Sequence, residues 1–231
     1  MRLVTWNCCR GSWEAKLDRL EGLSAEVATI QECARPPHQD PTTAWFGSDS
    51  RQGIAIRVRP PFTVLPRPAR DESRSMFAAR VQGPVEFTLL TVWAQREPTY
   101  TAALHRGLDA YRDLLLAAPA IVMGDFNSSA AWDARHGRTD HRELNDRLLA
   151  EFGLVSAYHV GTRETVGEES KPTHYWRWQE ASPFHLDYCY VPEAWAAAIS
   201  RVSVGTYEEW ASASDHRPLV VDLRPPSEQM T

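Results

Sequence analysis

The stretch Ala120-Ile121-Val122-Met123-Gly124-Asp125-Phe126-Asn127 places a carboxylate and an amide directly after a run of four apolar residues. A short apolar run that ends at a glycine is typical of a buried strand. Polar side chains at the end of such a strand are held by a rigid scaffold, as catalytic groups must be. The stretch therefore predicts a central strand with a functional site at its end.

Four further predicted strands carry a polar residue at or next to one end. These residues are Asn7, Glu32, Asp187 and the neighbours Asp215 and His216, on the predicted strands Leu3–Trp6, Val27–Ile30, Leu186–Val191 and Leu219–Leu223. Carboxylate and amide oxygens are ligands that a hard divalent cation prefers, and an imidazole can transfer protons near neutral pH. Residues of these types around one site indicate metal-assisted phosphate chemistry.

The remaining pattern predicts a β-rich middle and a few helices. Ser12 is expected to cap a helix that begins at Trp13, and longer helices are predicted over Thr99–Ala118 and Arg142–Phe152. Further strands are predicted at Trp45–Gly47, Gly53–Val58, Met76–Val81, Val85–Val92 and Val202–Tyr207. Strands in both halves, with helices between them, favour two packed sheets with helices outside.

The length and the cysteines bound the class of protein. A chain of 231 residues can bury a sizeable core, and we predict one domain over residues 1–224 followed by a flexible C-terminal tail over residues 225–231. The scattered Cys8, Cys9, Cys33 and Cys189 lack zinc-ligand spacing and predict buried thiols in a reducing compartment. The sequence shows neither a signal peptide nor an apolar run near the roughly 20 residues of a membrane span. We therefore expect a soluble, cytoplasmic protein.

The charge balance argues against a protein that coats nucleic acid non-specifically. There are 25 Lys and Arg residues against 30 Asp and Glu, a formal net charge of −5, whereas phosphate binding usually needs excess basic residues. A metal-dependent nuclease remains compatible, because bound cations reverse the sign of an acidic site. The region Arg51–Arg80 is locally basic, and either a solvated surface or a phosphate-contacting face accounts for it.

Five short pieces follow one another along nearly the whole chain. They are Thr5-Trp6-Asn7, Ile30-Gln31-Glu32, Gly124-Asp125-Phe126-Asn127, Leu186-Asp187-Tyr188 and Ser214-Asp215-His216-Arg217-Pro218. This ordered set resembles the endonuclease/exonuclease/phosphatase family, the superfamily of DNase I and exonuclease III. The resemblance implies an α+β fold, a four-layer α/β/β/α sandwich with two packed mixed β-sheets. It also implies a phosphodiesterase or phosphatase site at one edge that depends on Mg²⁺ or Mn²⁺.

The resemblance also implies roles for the polar residues. Glu32, Asp215 and Asn7 are expected to hold the metal. The expected catalytic residues are His216, Asp187, Asp125, Asn127 and Asn7. Two schemes stay open: His216, oriented by Asp187, acts as general base or as an imidazolium on the phosphoryl oxygens; or Asp125 orients or deprotonates the water. Predicted substrate contacts are His185, His174, Arg96 and Trp176.

One region departs from the family pattern. Many relatives carry a His or Tyr just after the strand that precedes the long helix, whereas Trp93 and Gln95 occupy that region here. Neither is a usable general acid, so leaving-group chemistry like that of the DNA-repair members is in doubt. We expect a nuclease acting on DNA or RNA. The alternatives are a phosphatase or phosphodiesterase on a small molecule or phospholipid head group, and a binding module that kept the fold without activity.

Overall fold

The computed structural model describes residues 1–38, 40–136 and 140–224. Within them, two six-stranded mixed sheets pack face to face and carry helices on their outer faces, which confirms the predicted four-layer sandwich. The predicted tail over residues 225–231 lies outside the described residues, so the domain boundary at residue 224 stays a prediction. None of the helices described is long and apolar enough to cross a membrane.

The first sheet contains both ends of the described chain. Its strands are β1 (Arg2–Asn7), β2 (Val27–Cys33), β3 (Thr43–Asp49), β4 (Gln52–Val58), β13 (Ile199–Val204) and β14 (Leu219–Leu223). Their order is β13-β14-β1-β2-β4-β3. Only the pairing of β1 with β2 is parallel among these strands. As a result, Asn7 and Glu32 come to the same edge of the sheet.

The second sheet contains the central strand predicted from the opening stretch. Its strands are β5 (Thr63–Pro66), β6 (Met76–Gln82), β7 (Phe87–Trp93), β8 (Ala120–Asp125), β9 (Leu154–Ser156) and β12 (Asp187–Pro192). Their order is β5-β6-β7-β8-β12-β9, with β7 and β8 parallel. A small antiparallel ribbon of β10 (His174–Tyr175) and β11 (Pro183–Phe184) lies outside both sheets.

Most of the helices cover the outer faces of the sheets, whereas the helix Ala157–Thr162 packs Ala157 and Tyr158 into the apolar layer between them. The helices are α1 (Trp13–Glu21), α2 (Tyr100–Ala110), α3 (Arg112–Ala117), α4 (Ala130–His136), α5 (Asp140–Phe152), α6 (Ala157–Thr162) and α7 (Tyr207–Trp210). Ser12 caps α1 as predicted, with its side chain accepting a hydrogen bond from the Ala15 amide. Leu104 and Leu144 pack on the second sheet, whereas Trp13 and Leu20 pack on the first.

Two predicted elements are wrong in extent: one helix is interrupted and one strand ends earlier than predicted. The single helix over Thr99–Ala118 is interrupted at Tyr111, which has φ −112° and ψ 13°. Tyr111 is fully buried, and its hydroxyl accepts a hydrogen bond from the Arg70 amide at 3.0 Å, so tertiary contacts override local helix periodicity. The strand predicted over Val202–Tyr207 ends at Val204, because Thr206 instead caps the short helix α7.

The layer between the sheets changes from apolar to polar along its length. Leu3, Met123 and Cys189 are fully or almost fully buried in the apolar part of this layer. Side chains alternate along a strand, so residues two or four positions away in either direction face the same layer. Those positions include Asn7, on β1, and the carboxylates Asp125 and Asp187. The polar site is therefore one end of the inter-sheet core.

Buried hydroxyl and amide groups separate the apolar core from the site. Thr29 Oγ1 donates to Thr5 Oγ1 at 3.0 Å, and Gln31 Nε2 donates to the same two hydroxyl oxygens at 3.1 and 3.2 Å. All three side chains are at most 1 % exposed. Satisfied networks of this kind fix side-chain positions, because a partner lost in the interior is costly. The network therefore fixes the strand segments that lead to Asn7 and Glu32.

Candidate active site

Glu32 reaches the site because β2 contains a bulge. Strand alternation alone would place Glu32 with Ala28 and Ile30, which pack on the helix side of the sheet. The register with β4 shifts between Gln31 and Cys33, and Glu32 has φ +59°. A positive φ is uncommon at a residue with a side chain and persists where its surroundings determine it. The bulge re-aims the carboxylate toward the inter-sheet layer.

The re-aimed Glu32 carboxylate is held by two side-chain amides. Asn7 Nδ2 donates to Glu32 Oε1 at 3.2 Å, and Gln52 Nε2 donates to Glu32 Oε2 at 3.0 Å. The side chain keeps 22 % of its exposure. Glu32 is therefore fixed in direction while one part of it still faces solvent, which suits a ligand for a cation.

Gly124 allows Asp125 to turn into the site. Its φ is +153°, and a Cβ atom at this position would overlap the backbone of Val92 on the neighbouring strand. Only glycine is compatible with that approach. Across the sheet, Asp125 pairs with Asp187 on β12 and with Trp93 on β7. The glycine of the opening stretch thus places one carboxylate between a second carboxylate and an indole.

Three N–H groups orient the Asp125 carboxylate. Asn7 Nδ2 and Asn127 Nδ2 donate to Asp125 Oδ2 at 2.9 and 3.1 Å, and the Asn127 backbone amide donates to Oδ1 at 2.9 Å. Asn127 has φ +47°, a conformation that Asn tolerates better than most residues. The structure therefore brings the predicted residues Asn7, Asp125 and Asn127 into one hydrogen-bonded unit.

His216 lies between the two buried carboxylates. Its Nδ1 is 2.8 Å from Asp187 Oδ2, and its Nε2 is 3.9 Å from Asp125 Oδ2. Hydrogen bonding to Asp187 places the proton on Nδ1 and aims Nε2 toward Asp125. Ser214 braces the loop: its Oγ accepts from the His216 amide at 2.9 Å and donates to the Asn7 carbonyl at 2.7 Å. Ser214 thus holds the backbone of the His216 loop against the end of β1.

Burial and like charge dominate the electrostatics of the site. Burial disfavours a charged His216 ring, but the charges of Asp187 and Asp125 outweigh it and raise the pKa of His216 to about 10. Burial also raises the pKa of Asp125, and the Asp187 charge adds to that increase, while His216 opposes it. Without a cation, the site holds more negative charge than its surroundings stabilise.

The donor groups fit a metal ion. Ligand atoms of Asp125, Asp187 and His216 all lie within 4.8 Å of one another. Asp187 Oδ1 is buried and has no hydrogen-bond partner among the residues that the structure describes. A buried carboxylate oxygen without a donor is costly, and a bound cation would satisfy it. This cluster could hold a metal ion in addition to, or in place of, the predicted Glu32, Asp215 and Asn7 set.

Asp215 and Glu32 both lie near Cys9. Burial raises the pKa of the Cys9 thiol to about 11, and the charges of Asp215 and Glu32 both add to it. Asn7 Oδ1 accepts a hydrogen bond from the Cys9 amide at 3.0 Å, so its amide nitrogen faces the carboxylates. Asp215, Glu32 and Asn7 therefore all lie near Cys9, and their role as metal ligands stays a prediction.

The predicted substrate contacts differ in their exposure and in their position relative to His216. The His174 ring packs against His216 with centroids 4.5 Å apart and planes tilted by 54°, and its Nε2 is 3.8 Å from Asp215 Oδ2. Arg96 is exposed and lines a cavity of about 200 Å³ together with Asn127. Trp176 follows β10 and is 54 % exposed. Arg96 and Trp176 are exposed and available to a substrate at the open edge, whereas His174 is only 6 % exposed and contacts the site through His216.

His185 is not placed at the open edge. It is 4 % exposed, its Nδ1 donates to the Lys171 carbonyl at 2.8 Å, and its ring packs on Tyr158 and Tyr188. Strand phase puts it on the side of Asp187, but the tyrosines enclose it. The geometry therefore does not support the predicted phosphate contact at this residue.

Two residues that support the site had no predicted role. Gln52 contacts Glu32, but its position on a separate hairpin gives no local signal. Arg217 is fully buried, with its guanidinium 4.6 and 4.9 Å from the ring centroids of Tyr175 and Tyr207. Its Nη1 donates to the Ser214 and His216 carbonyls at 2.7 and 3.1 Å. The only signal for Arg217 was its position beside His216.

The arginine-rich middle is mostly paired at the surface. The ion pairs are Arg51 with Asp49, Arg59 with Glu21, Arg70 with Asp113 and Arg80 with Glu86. Exposed pairs of this kind neutralise one another and add little stability. The pairing favours the interpretation of this region as a solvated surface.

Comparison with known proteins agrees with this geometry. Residues 4–216 match the sequence profile of the Endonuclease/Exonuclease/phosphatase family. The fold is similar to a 3′ phosphatase, NExo, from Neisseria bound to a product DNA hairpin (21 % identity, TM-score 0.70, 97 % of this chain and 99 % of that chain). It is also similar to an AP endonuclease from Archaeoglobus fulgidus (17 % identity, TM-score 0.71, 96 % and 99 %). No curated protein sequence matches the chain significantly.

Proposed function

The chain belongs to the endonuclease/exonuclease/phosphatase family, and we propose that it is a divalent-metal-dependent phosphodiester hydrolase acting on DNA or RNA. The observation that carries the proposal is the buried His216–Asp187 pair facing Asp125 at the open end of the inter-sheet layer. A phosphodiester is anionic and repels hydroxide, so its hydrolysis needs positive charge and an aligned water. The site offers groups for both tasks.

Mg²⁺ or Mn²⁺ would be held by Glu32, Asp215 and Asn7, and the Asp125, Asp187 and His216 cluster offers a second position. When bound, the ion supplies positive charge at the phosphate and activation of water. Oxygen-rich donors of this kind suit hard cations. The amides on Glu32 and Asp125 preserve the directions of both carboxylates.

The chain's own residues align the attacking water. Asp125 Oδ2 and His216 Nε2 are 3.9 Å apart, so one oxygen atom can lie within hydrogen-bond reach of both. Either His216 accepts the water's proton, or Asp125 accepts it while the His216 imidazolium donates a hydrogen bond to a phosphoryl oxygen. Asp187 fixes the ring in both schemes, since it accepts the Nδ1–H of His216.

Exposed aromatic side chains beside the site favour a nucleic acid as substrate. Trp176 and Trp178 are 54 % and 42 % exposed, and both follow β10, whose His174 ring contacts the ring of His216. Bases stack on such side chains without requiring a particular sequence. The exposed Arg96 adds a cation on the Asn127 side. Of the solved structures compared, the Neisseria protein holds a DNA hairpin, which supports the same class.

A small phosphodiester or a phospholipid head group is the second candidate. The net charge of −5 and the paired arginines of the middle region favour it, because a long polyanion is usually held by free basic residues. The proposed compartment is the cytoplasm, since the four cysteines are free thiols, as expected in a reducing environment.

Hydrolysis assays with Mg²⁺ and Mn²⁺ test the proposal. The substrates are single-stranded DNA, plasmid DNA, RNA and bis-p-nitrophenyl phosphate, and the variants are His216→Ala and the matched control His38→Ala, at an exposed histidine outside the site. We expect nucleic-acid cleavage by the wild type and His38→Ala and its loss in His216→Ala. Cleavage of the small diester alone would support the second candidate. Absence of hydrolysis with metal bound would overturn both.

A further inference from the structure

A second cavity opens next to the site, between strands of both sheets. Its volume is about 240 Å³. Phe46 on β3 and Phe77 on β6 form one wall, with ring centroids 4.7 Å apart and planes 17° from parallel. The half-buried Trp93 at the end of β7 also lines it. The cavity is therefore a flat, aromatic continuation of the inter-sheet layer.

The cavity shares two walls with the site. Trp93 lies opposite Asp125 in the register of β7 and β8. Gln52, which lines the cavity, donates its Nε2 to Glu32 Oε2 at 3.0 Å. A group in the cavity is thus one side chain away from both Asp125 and Glu32. A phosphate bound between these carboxylates would therefore have this cavity beside it.

The lining selects for a planar polar ring. Stacked and flat aromatic walls favour an aromatic guest, and the amides of Gln52 and Gln95 provide hydrogen-bonding groups for its edge. Arg74 at the exposed rim adds a cation. At ~30 Å³ for each water in the liquid, the volume equals that of about eight waters, which is room for one planar ring system and too little for a long acyl chain.

We propose that this cavity binds the nucleobase of the nucleotide adjoining the scissile phosphate, and that Trp93 is the residue that stacks on it. The inference rests on the proposed function and narrows its substrate to nucleic acid with that base unpaired. A base inside a duplex must leave its stack to enter a pocket, which costs least in single strands and at frayed ends. Trp93 lies in the region where many relatives carry a His or Tyr, and there it contributes binding.

Nucleoside titration tests the cavity without hydrolysis. Adenosine, guanosine, cytidine and uridine are added separately to the metal-free protein, with ribose as the base-free control, and indole ¹H–¹⁵N resonances are followed. The Trp93 resonance is assigned by its loss in Trp93→Leu. We expect a saturable shift of the Trp93 resonance with at least one nucleoside and none with ribose. Absence of a shift with all four nucleosides would overturn the proposal.

Kinetics on short single strands test the same contact during turnover. Trinucleotides carrying a tetrahydrofuran abasic residue on either side of the cleaved bond are compared with the complete trinucleotide. We expect Trp93→Leu to lower kcat/KM roughly 5- to 100-fold for the complete substrate. It should leave the rate unchanged for the one substrate that lacks the stacked base, and Trp93→Phe should retain most of the preference.

The matched control is Trp195→Leu, because Trp195 packs on Phe87 at the opposite end of β7, about 20 Å away at ~3.3 Å per residue. It should leave the ratio of complete to abasic substrate unchanged. An equal loss on both substrates in Trp93→Leu would overturn the stacking role. Absence of turnover by the wild type would overturn the proposed function. The nucleoside titration would still show whether the cavity binds a nucleobase.

Discussion

The two ends of the inter-sheet layer are built on the same strands and the same faces, yet one is apolar and the other is charged. Ile121 and Asp125 are four residues apart on β8, and both are fully buried. Burial of Ile121 stabilises the fold, whereas burial of Asp125 beside Asp187 raises its pKa and opposes folding. The comparison teaches that residues that stabilise the fold and residues suited to catalysis lie on the same strand, only a few positions apart.

Removing divalent metal should have the largest effect and act only on the charged end. We expect EDTA to abolish hydrolysis and added Mg²⁺ or Mn²⁺ to restore it, because Glu32, Asp125 and Asp187 otherwise repel the phosphate. Added Mg²⁺ should also raise the melting temperature, since a ligand that binds only the folded state stabilises it. The increase should be smaller in Glu32→Gln. Full activity in EDTA would contradict this prediction.

His216→Ala should lower kcat/KM by about 10²- to 10⁴-fold, the range for a lost proton-transfer group. The same change leaves Asp187 buried without its partner, so some stability is lost as well. Activity per folded molecule, from steady-state rates below the melting transition, separates the two effects. The assignment would be wrong if the variant retained wild-type kcat/KM.

Ile121→Ala should break the apolar end alone. Removing a fully buried branched side chain costs about 2–5 kcal/mol in the free energy of unfolding, measured by urea denaturation. Because the charged end is fixed by its own hydrogen bonds, kcat should change less than about threefold at temperatures where the variant is folded. A kcat loss comparable with that of His216→Ala would show that the two ends are not separable.

Glu169, a carboxylate outside the site, has a pKa that shifts in the opposite direction from that of Asp125. Burial disfavours the charged Glu169, but hydrogen bonds from His159 Nε2 at 3.0 Å and the Gly167 amide at 2.9 Å outweigh it and lower the pKa to about 2. A depressed pKa stabilises the fold above the ordinary value of 4.5, and this contribution is lost as pH falls toward 2.

Glu169→Gln should therefore be less stable than the wild type at pH 7 by on the order of 2 kcal/mol, and the difference should shrink between pH 4.5 and 2. Urea denaturation of both proteins across that pH range measures it. A difference that is constant with pH would mean that the charge of Glu169 contributes nothing. A stability difference that grows at low pH would mean that the charged form of Glu169 does not stabilise the fold.

The sequence predicts those parts of the fold and site that depend on local pattern. The run before Gly124 locates the central strand, and polar residues at strand ends locate Asn7, Asp125 and His216 at one edge. Sequence alone does not show that Glu32 needs a bulge with φ +59° to join them, because alternation predicts the other face. The bulge depends on pairing with β4, a contact between distant segments.

Other features depend on packing that a local pattern does not contain. The interruption of the long helix at Tyr111 follows from the contact of its hydroxyl with Arg70. His185 has the strand phase of Asp187, but its enclosure by Tyr158 depends on residues 27 positions earlier in the chain. The cavity at Trp93 needs Phe46 and Phe77 from separate hairpins. In each case the missing information is a long-range contact.

The most direct test of the separation is a crossed measurement on two variants, His216→Ala and Ile121→Ala. Each is assayed for Mg²⁺-dependent cleavage of single-stranded DNA and for the free energy of unfolding in urea. We predict that His216→Ala loses at least about 10²-fold in kcat/KM while remaining folded, and that Ile121→Ala loses about 2–5 kcal/mol of stability with kcat nearly unchanged. Wild-type cleavage by folded His216→Ala, or an equal loss of kcat in both variants, would contradict the account.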